Sequence, residues 1–135
     1  MPLIQWNAGY SVKVASLDGQ HQKLIGILNE LHEAMTTAKG DKVLANILAN
    51  LADYARMHLD TEERLLKTHG YPDFARHKAQ HDAYVAKVQT FQSQAGQRRV
   101  AATVELLQFL KKWWTEHILG ADRQYSEFLN GCGVR

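Results

Sequence analysis

The stretch HLDTEERLLKTHGYPDFARHKAQH, residues 58–81, decides how this chain folds. It opens with His58 and Glu62, four residues apart, and closes with His77 and His81 at the same spacing. Four residues turn an α-helix through roughly 400°, so each pair emerges on one face, one turn apart. Between the pairs, Gly70 stops one helix and Pro72 suits the first turn of the next. The stretch therefore predicts two antiparallel helices joined tightly, with four chemistry-bearing side chains gathered at the joint.

Helical periodicity extends outward from there. Residues 41–69 carry an apolar seam of Leu44, Ile47, Leu51, Tyr54 and Leu65, into which His58 and Glu62 fall. Residues 72–94 repeat the pattern with Phe74, Tyr84, Val88 and Phe91 around the two histidines. Upstream, residues 18–38 place His21, Leu24, Leu28, Leu31 and Met35 on one face, with Ser16 or Asp18 as the cap and Gly40 as the stop. Downstream, residues 97–119 follow a break at Gly96 and align Val100, Thr103, Leu106, Leu110, Trp113 and His117. A last short turn covers 122–129. Four helices of roughly 20 residues with short links predict an all-α, up-down-up-down antiparallel four-helix bundle. It forms a single domain, with an N-terminal arm over 1–17 anchored by Trp6 and Tyr10, the bundle over 18–129, and a loose tail over 130–135.

Composition excludes several classes. A net charge of +2 from 16 basic and 14 acidic residues leaves no basic face for nucleic acid. No apolar run approaches the roughly 18 residues of a membrane span. The start has neither a basic segment nor an apolar stretch resembling a leader, and one cysteine, Cys132, permits no internal disulfide. These readings favour a cytoplasmic protein.

The interruptions of the seams carry the chemistry. His21, His58, Glu62, His77, His81 and His117 all fall at inward positions, where an unpaired polar group costs roughly 1–3 kcal/mol. A single inward histidine is ordinarily a hydrogen-bonded core residue. Five with a glutamate are satisfied together by metal. In an antiparallel bundle all six also lie at the same end. Asp122 follows His117 by five residues, which on a regular helix turns it away by roughly 140°. Gly120 between them allows a helix end or a π-type irregularity to return it inward. Taken alone, Asp122 is a solvated carboxylate; in this company it reads as a ligand. Five imidazoles and two carboxylates exceed the needs of one ion and suit two, with both carboxylates bridging. The donor set is compatible with iron, zinc, copper or manganese, and the lack of thiolates argues against a structural zinc site.

With these residues in view, the chain resembles the hemerythrins, and most of all the short bacterial ones. The likeness spans Trp6-Asn7, Leu17-Asp18-Gly19-Gln20-His21, the His58 and Glu62 pair with Glu63, Gly70-Tyr71-Pro72, His77-Lys78-Ala79-Gln80-His81, and Trp113 through Tyr125. It implies two iron ions with an oxo or hydroxo bridge. His77, His81 and His117 would hold one ion, His21 and His58 the other, and Glu62 and Asp122 would bridge them. It implies reversible binding of molecular oxygen for transport or storage, at an open position on the two-histidine iron, with no catalytic side chain. Leu24, Leu59, Trp114 and Ile118 would wall that pocket, a role compatible with plain core packing. Leu59 stands where the family usually has Phe, and Trp114 where it usually has Leu, a volume swap that bears on oxygen access. An oxygen-consuming enzyme is the implied partner, and a monomer or weak oligomer the implied state.

The remaining candidates read as structural. His32 lies roughly 16 Å along the axis from His21. His69 sits at a helix C-terminus, where its charge suits the dipole. Glu63 is expected to face solvent, as are Lys111 and Lys112, and Cys132 is a tail thiol. The rival readings are a di-iron enzyme with peroxidase-like activity, and a module for oxygen, redox or nitric oxide sensing or detoxification. Carboxylate-rich di-iron bundles carry two Glu-x-x-His pairs. This chain has no such pair.

Overall fold

The computed structural model describes residues 3–37, 41–94 and 99–135. Four long helices form the body: α1 (Ala15–Thr36), α2 (Asp41–Thr68), α3 (Phe74–Gln94) and α4 (Arg99–His117). A π-helical segment, Ile118–Asp122, continues α4, and a short α5 (Ser126–Gly131) follows. Helix α1 packs on α2 and α4, and α3 packs on α2 and α4, which closes the four-helix ring. No strand occurs among the described residues, and no described helix is long and apolar enough to cross a membrane. The stops expected at Gly40 and Gly96 and the start at Gln97 lie outside the described residues, as do the side chains of Val100 and Thr103.

Two apolar clusters divide the interior. The larger fills the bundle with Leu24, Leu28, Leu31, Leu51, Leu59, Leu110, Trp114 and their neighbours. The smaller, of Val12, Val14, Leu17, Leu66, Tyr71, Tyr125 and Leu129, closes the end where the arm, the α2–α3 turn and α5 meet. The seams are as expected on α1, but elsewhere they rotate slightly. On α2, Ala55 and Leu66 are buried while Tyr54 and Leu65 are half-buried; on α4, Trp114 is fully buried and Trp113 half-buried. A helix buries an arc wider than one line of residues, so the flanking position often goes deeper.

The ends are tied differently from expectation. Neither Ser16 nor Asp18 caps α1; both lie inside it, and the cap position is Val14, with no side-chain bond. Asp18 instead reaches back to the arm, accepting from the Ser11 hydroxyl at 2.6 Å and the Val12 amide at 2.8 Å. Trp6 stacks on Tyr10 with centroids 5.6 Å apart, but Ile4 is the deeper anchor. Its backbone amide and carbonyl both bond Asn29, at 2.9 and 2.8 Å. The residues read as a loose tail fold back, with Val134 N donating to Leu129 O at 2.9 Å and Asn130 Nδ2 donating to Lys13 O at 2.9 Å.

The α2–α3 turn is a Schellman cap. Tyr71 N reaches Leu66 O at 2.9 Å and Gly70 N reaches Lys67 O at 3.1 Å, with Gly70 at φ +71°. Pro72 sits in the turn, ahead of α3. The turn fixes the separation of the histidine pairs on α2 and α3. Gly70→Ala places a side chain in the left-handed region, and its Cβ meets nothing within 4 Å. It should therefore cost only the backbone strain, about 1–2 kcal/mol, measurable by urea denaturation; no loss would refute the cap.

Candidate metal centre

Each helix delivers its polar side chains to the same end of the bundle. Residues 21 on α1, 58 and 62 on α2, 77 and 81 on α3, and 117 on α4 turn inward, and none of their side chains is more than 5% exposed. The π segment brings in the seventh. A π turn closes an i to i+5 bond, so five residues make little more than one turn, and Asp122 returns to the face of His117 with no exposed surface. All seven expected residues come together. Their ligating atoms form two sets, each within 4.8 Å: His77, His81, His117, Glu62 and Asp122, and His21, His58, Glu62 and Asp122.

The two carboxylates are shared atom by atom. Glu62 Oε1 lies 2.6 Å from His77 Nε2 and 3.1 Å from His81 Nε2, while Oε2 lies 3.3 Å from His58 Nε2 and 3.6 Å from His21 Nε2. Asp122 Oδ1 lies 3.0 Å from His117 Nε2 and 3.1 Å from His77 Nε2, while Oδ2 lies 3.2 Å from His21 Nε2. His81 Nε2 and His117 Nε2 face each other at 3.1 Å. Donors at right angles around an ion with bonds of about 2.1 Å are about 3.0 Å apart, so these separations are those of a coordination shell.

Three histidines are oriented from outside. His58 Nδ1 lies 2.7 Å from Gln20 Oε1, His81 Nδ1 3.0 Å from a Glu63 carboxylate oxygen, and His117 Nδ1 3.0 Å from Gln80 Oε1. Those oxygens only accept, so the proton sits on Nδ1 and the Nε2 lone pair faces the cage. Tyr125 donates its hydroxyl to Glu62 Oε2 at 2.9 Å. Trp113 lies flat on His117, with ring centroids 4.3 Å apart. Glu63, expected in solvent, is thus a partner of His81. The signal was available: Gln20, Glu63 and Gln80 each adjoin a cage residue in sequence. One step along a helix is 100°, which points the neighbour of an inward residue at the adjoining helix.

Several of the cage's polar atoms find no protein partner. His21 Nδ1 and Nε2, His58 Nε2 and both Asp122 oxygens are buried without any hydrogen bond. Native interiors leave few such groups. Burial opposes charge on His21 and His77, yet the close approach of the Asp122 and Glu62 carboxylates outweighs it and pushes both imidazoles up to about 9. Burial likewise opposes charge on Glu62, but bonds from the histidines, His117 foremost, hold it well below the usual carboxylate range. Asp122 is also lowered, against burial and the Glu62 charge, chiefly by His117. Burial raises Tyr125, with the Glu62 and Asp122 charges adding, so it stays a donor. Five imidazole nitrogens and four carboxylate oxygens converging here, several of them without a protein partner, fit a pair of divalent ions.

Leu24, Leu59, Trp114 and Ile118 are all buried, at 3% exposure or less, in the larger apolar cluster. The Trp114 ring lies 5.9 Å from that of His58, and its Nε1 donates to the Tyr84 hydroxyl at 3.1 Å. His32 and His69 are half-buried and outside the cage, and Cys132 is exposed.

Comparison with known proteins agrees with this arrangement. Residues 12–129 match the Hemerythrin HHE cation binding domain. Bacteriohemerythrin of Stenotrophomonas maltophilia is 31% identical over 94% of this chain and 82% of its own length. That of Methylococcus capsulatus is 30% identical over 96% of this chain and 99% of its own. A crystal structure of wild-type hemerythrin superposes with a TM-score of 0.82 at 32% identity, covering 94% of this chain and 98% of that one.

The histidine shifts carry a sign. His21 and His77 rise from 6.5 to about 9 in the folded state. Their contribution to stability is complete below about pH 6.5 and is lost as pH rises through about 9. The depressed carboxylates change nothing in that window. The metal-free protein should therefore lose several degrees of melting temperature between those limits, at roughly 2–8 °C per kcal/mol. A melting temperature that stays flat or rises would refute the assignment.

Proposed function

The chain belongs to the hemerythrin family, and we propose on that premise that its cage holds two iron ions and binds molecular oxygen reversibly, for transport or storage. One observation carries this reading: Glu62 and Asp122 each turn one oxygen to the three-histidine set and the other to the two-histidine set. His77, His81 and His117 would hold one iron, and His21 and His58 the other, with both carboxylates bridging. The smaller set has one fewer imidazole, which leaves room for a diatomic ligand. Bound iron would supply two electrons to oxygen and recover them on release.

The chain's own residues favour binding over turnover. Five neutral imidazoles make a shell poorer in negative charge than a carboxylate-rich one, which disfavours high oxidation states. Tyr125 holds Glu62 Oε2 with a phenol that keeps its proton, and so spreads the charge on that bridge without offering a base. Trp114, Leu24, Leu59 and Ile118 would exclude water from the two-histidine side. Trp114 is fixed by its bond to Tyr84 and by edge contacts with Trp113 and Tyr84, at 4.8 and 5.2 Å. A tryptophan held at both ends keeps this wall shut, and so supplies the bulk that Leu59 lacks relative to Phe.

Two outcomes test the reading. The iron-loaded protein, reduced under nitrogen and then given oxygen, should develop a visible charge-transfer band that disappears when oxygen is removed, over repeated cycles. One-way oxidation would instead indicate an enzyme or sensor. Trp114→Ala should open the wall, destabilise the fold by about 3–5 kcal/mol and speed irreversible oxidation in air. Oxidation kinetics unchanged from wild type would rule Trp114 out as part of the pocket.

A further inference from the structure

The two sides of the cage have unlike surroundings. A cleft of about 430 Å³ runs between α3, α4 and the π segment, and His77 and His117 form part of its floor. Its walls include Asp73, Arg76, Gln80, Trp113, Glu116 and Gly120. A smaller cavity of about 60 Å³, beside Leu59 and Tyr84, touches no cage residue. On the two-histidine side, His21, Leu24, Trp114 and Ile118 have no exposed surface.

We propose that the α3–α4 cleft is the port through which divalent cations enter and leave the cage, an inference that rests on reading the cage as a metal centre. A divalent ion sheds its waters only where other polar groups replace them. The apolar wall offers none. The cleft offers amide oxygen from Gln80 and carboxylates from Asp73 and Glu116, against a single cation, Arg76. Its volume accommodates an ion with six waters, about 180 Å³. Its floor includes two imidazoles whose Nε2 atoms already approach Asp122 within the three-histidine set.

The π segment makes the port workable. Gly120 and Ala121 line the cleft, and the next residue, Asp122, has both oxygens buried without a hydrogen bond. A small shift of this segment withdraws Asp122 from the cage, giving up its contacts of 3.0, 3.1 and 3.2 Å with His117, His77 and His21 to the incoming ion and its waters, and opens the floor beside His117. Gln80, which holds His117 Nδ1, lies in the same cleft, so the ring loses its brace when an ion's waters compete for that amide. The second ion site is reached through the first, since Glu62 and Asp122 belong to both sets.

Plugging the cleft tests this. A Cβ at Gly120 meets no atom within 4 Å, and Gly120 lines the cleft, so Gly120→Phe adds bulk there from a position where the side chain starts in open space. Ala83→Trp adds bulk from the opposite wall, on α3. Leu119→Phe, at a side chain 41% exposed and outside the cleft lining, is the control. Cobaltous ion is mixed with the metal-free full chain, and its uptake, then its loss to a chelator, is followed by absorbance. Both plugs should slow uptake and loss on the order of tenfold, about 1.4 kcal/mol in the barrier, at an unchanged two ions per chain. The control should match wild type. Wild-type rates in both plugged variants, at full stoichiometry, would overturn the port alone. A wild-type chain that takes up no cobalt would overturn the cage reading, and the port with it.

Discussion

Two carboxylates buried among five imidazoles govern this structure. Glu62 and Asp122 have no exposed surface, and the histidines that meet them are nearly as deep. A bundle of this size could close its end more cheaply with leucine, because each buried charge needs a partner in hydrogen-bonding geometry. The rest of the local structure can be read as meeting that need. The Schellman cap at Gly70 sets α2 against α3 so that two i, i+4 pairs face each other. The π segment carries Asp122 through the extra rotation that a regular helix would not give it. Gln20, Glu63 and Gln80 hold three rings by their outer nitrogens.

This arrangement divides the centre into two unlike halves. The three-histidine set borders a polar cleft, and its rings are braced by side chains at the helix interfaces. The two-histidine set meets the larger apolar cluster where Trp114 approaches His58, and His21 and His58 have no exposed surface. Ions and protons are favoured by the first environment, and a neutral diatomic gas by the second. On the proposed reading, the fold would separate traffic in charged species from traffic in oxygen without a moving domain, with Glu62 and Asp122 shared by the two halves.

Much of this was legible in the sequence. The pairs at 58 and 62 and at 77 and 81 fix faces, the antiparallel order fixes a common end, and the five-residue step from His117 to Asp122 around Gly120 allowed a helix end or a π-type irregularity, of which the structure has the second. What escaped belongs to the interfaces. Periodicity tells inward from outward, but it does not resolve the flanking positions, where Glu63 turns to His81 and Trp114 goes deeper than Trp113. The arm also escaped, because Ile4 is anchored through backbone bonds to Asn29, which no side-chain pattern announces. The last residues are ordered by local bonds such as Val134 N to Leu129 O, and the contact of Asn130 with Lys13 adds a tie between chain ends that local sequence does not encode.

The central claim, that Glu62 and Asp122 join two ion sites, is tested most directly by a crystal structure of the iron-loaded protein with anomalous scattering at the iron edge. The account predicts two peaks, one ringed by His77, His81 and His117 and the other by His21 and His58, with one oxygen of Glu62 and one of Asp122 on each. A single peak, or two peaks with either carboxylate bound to only one of them, would contradict it.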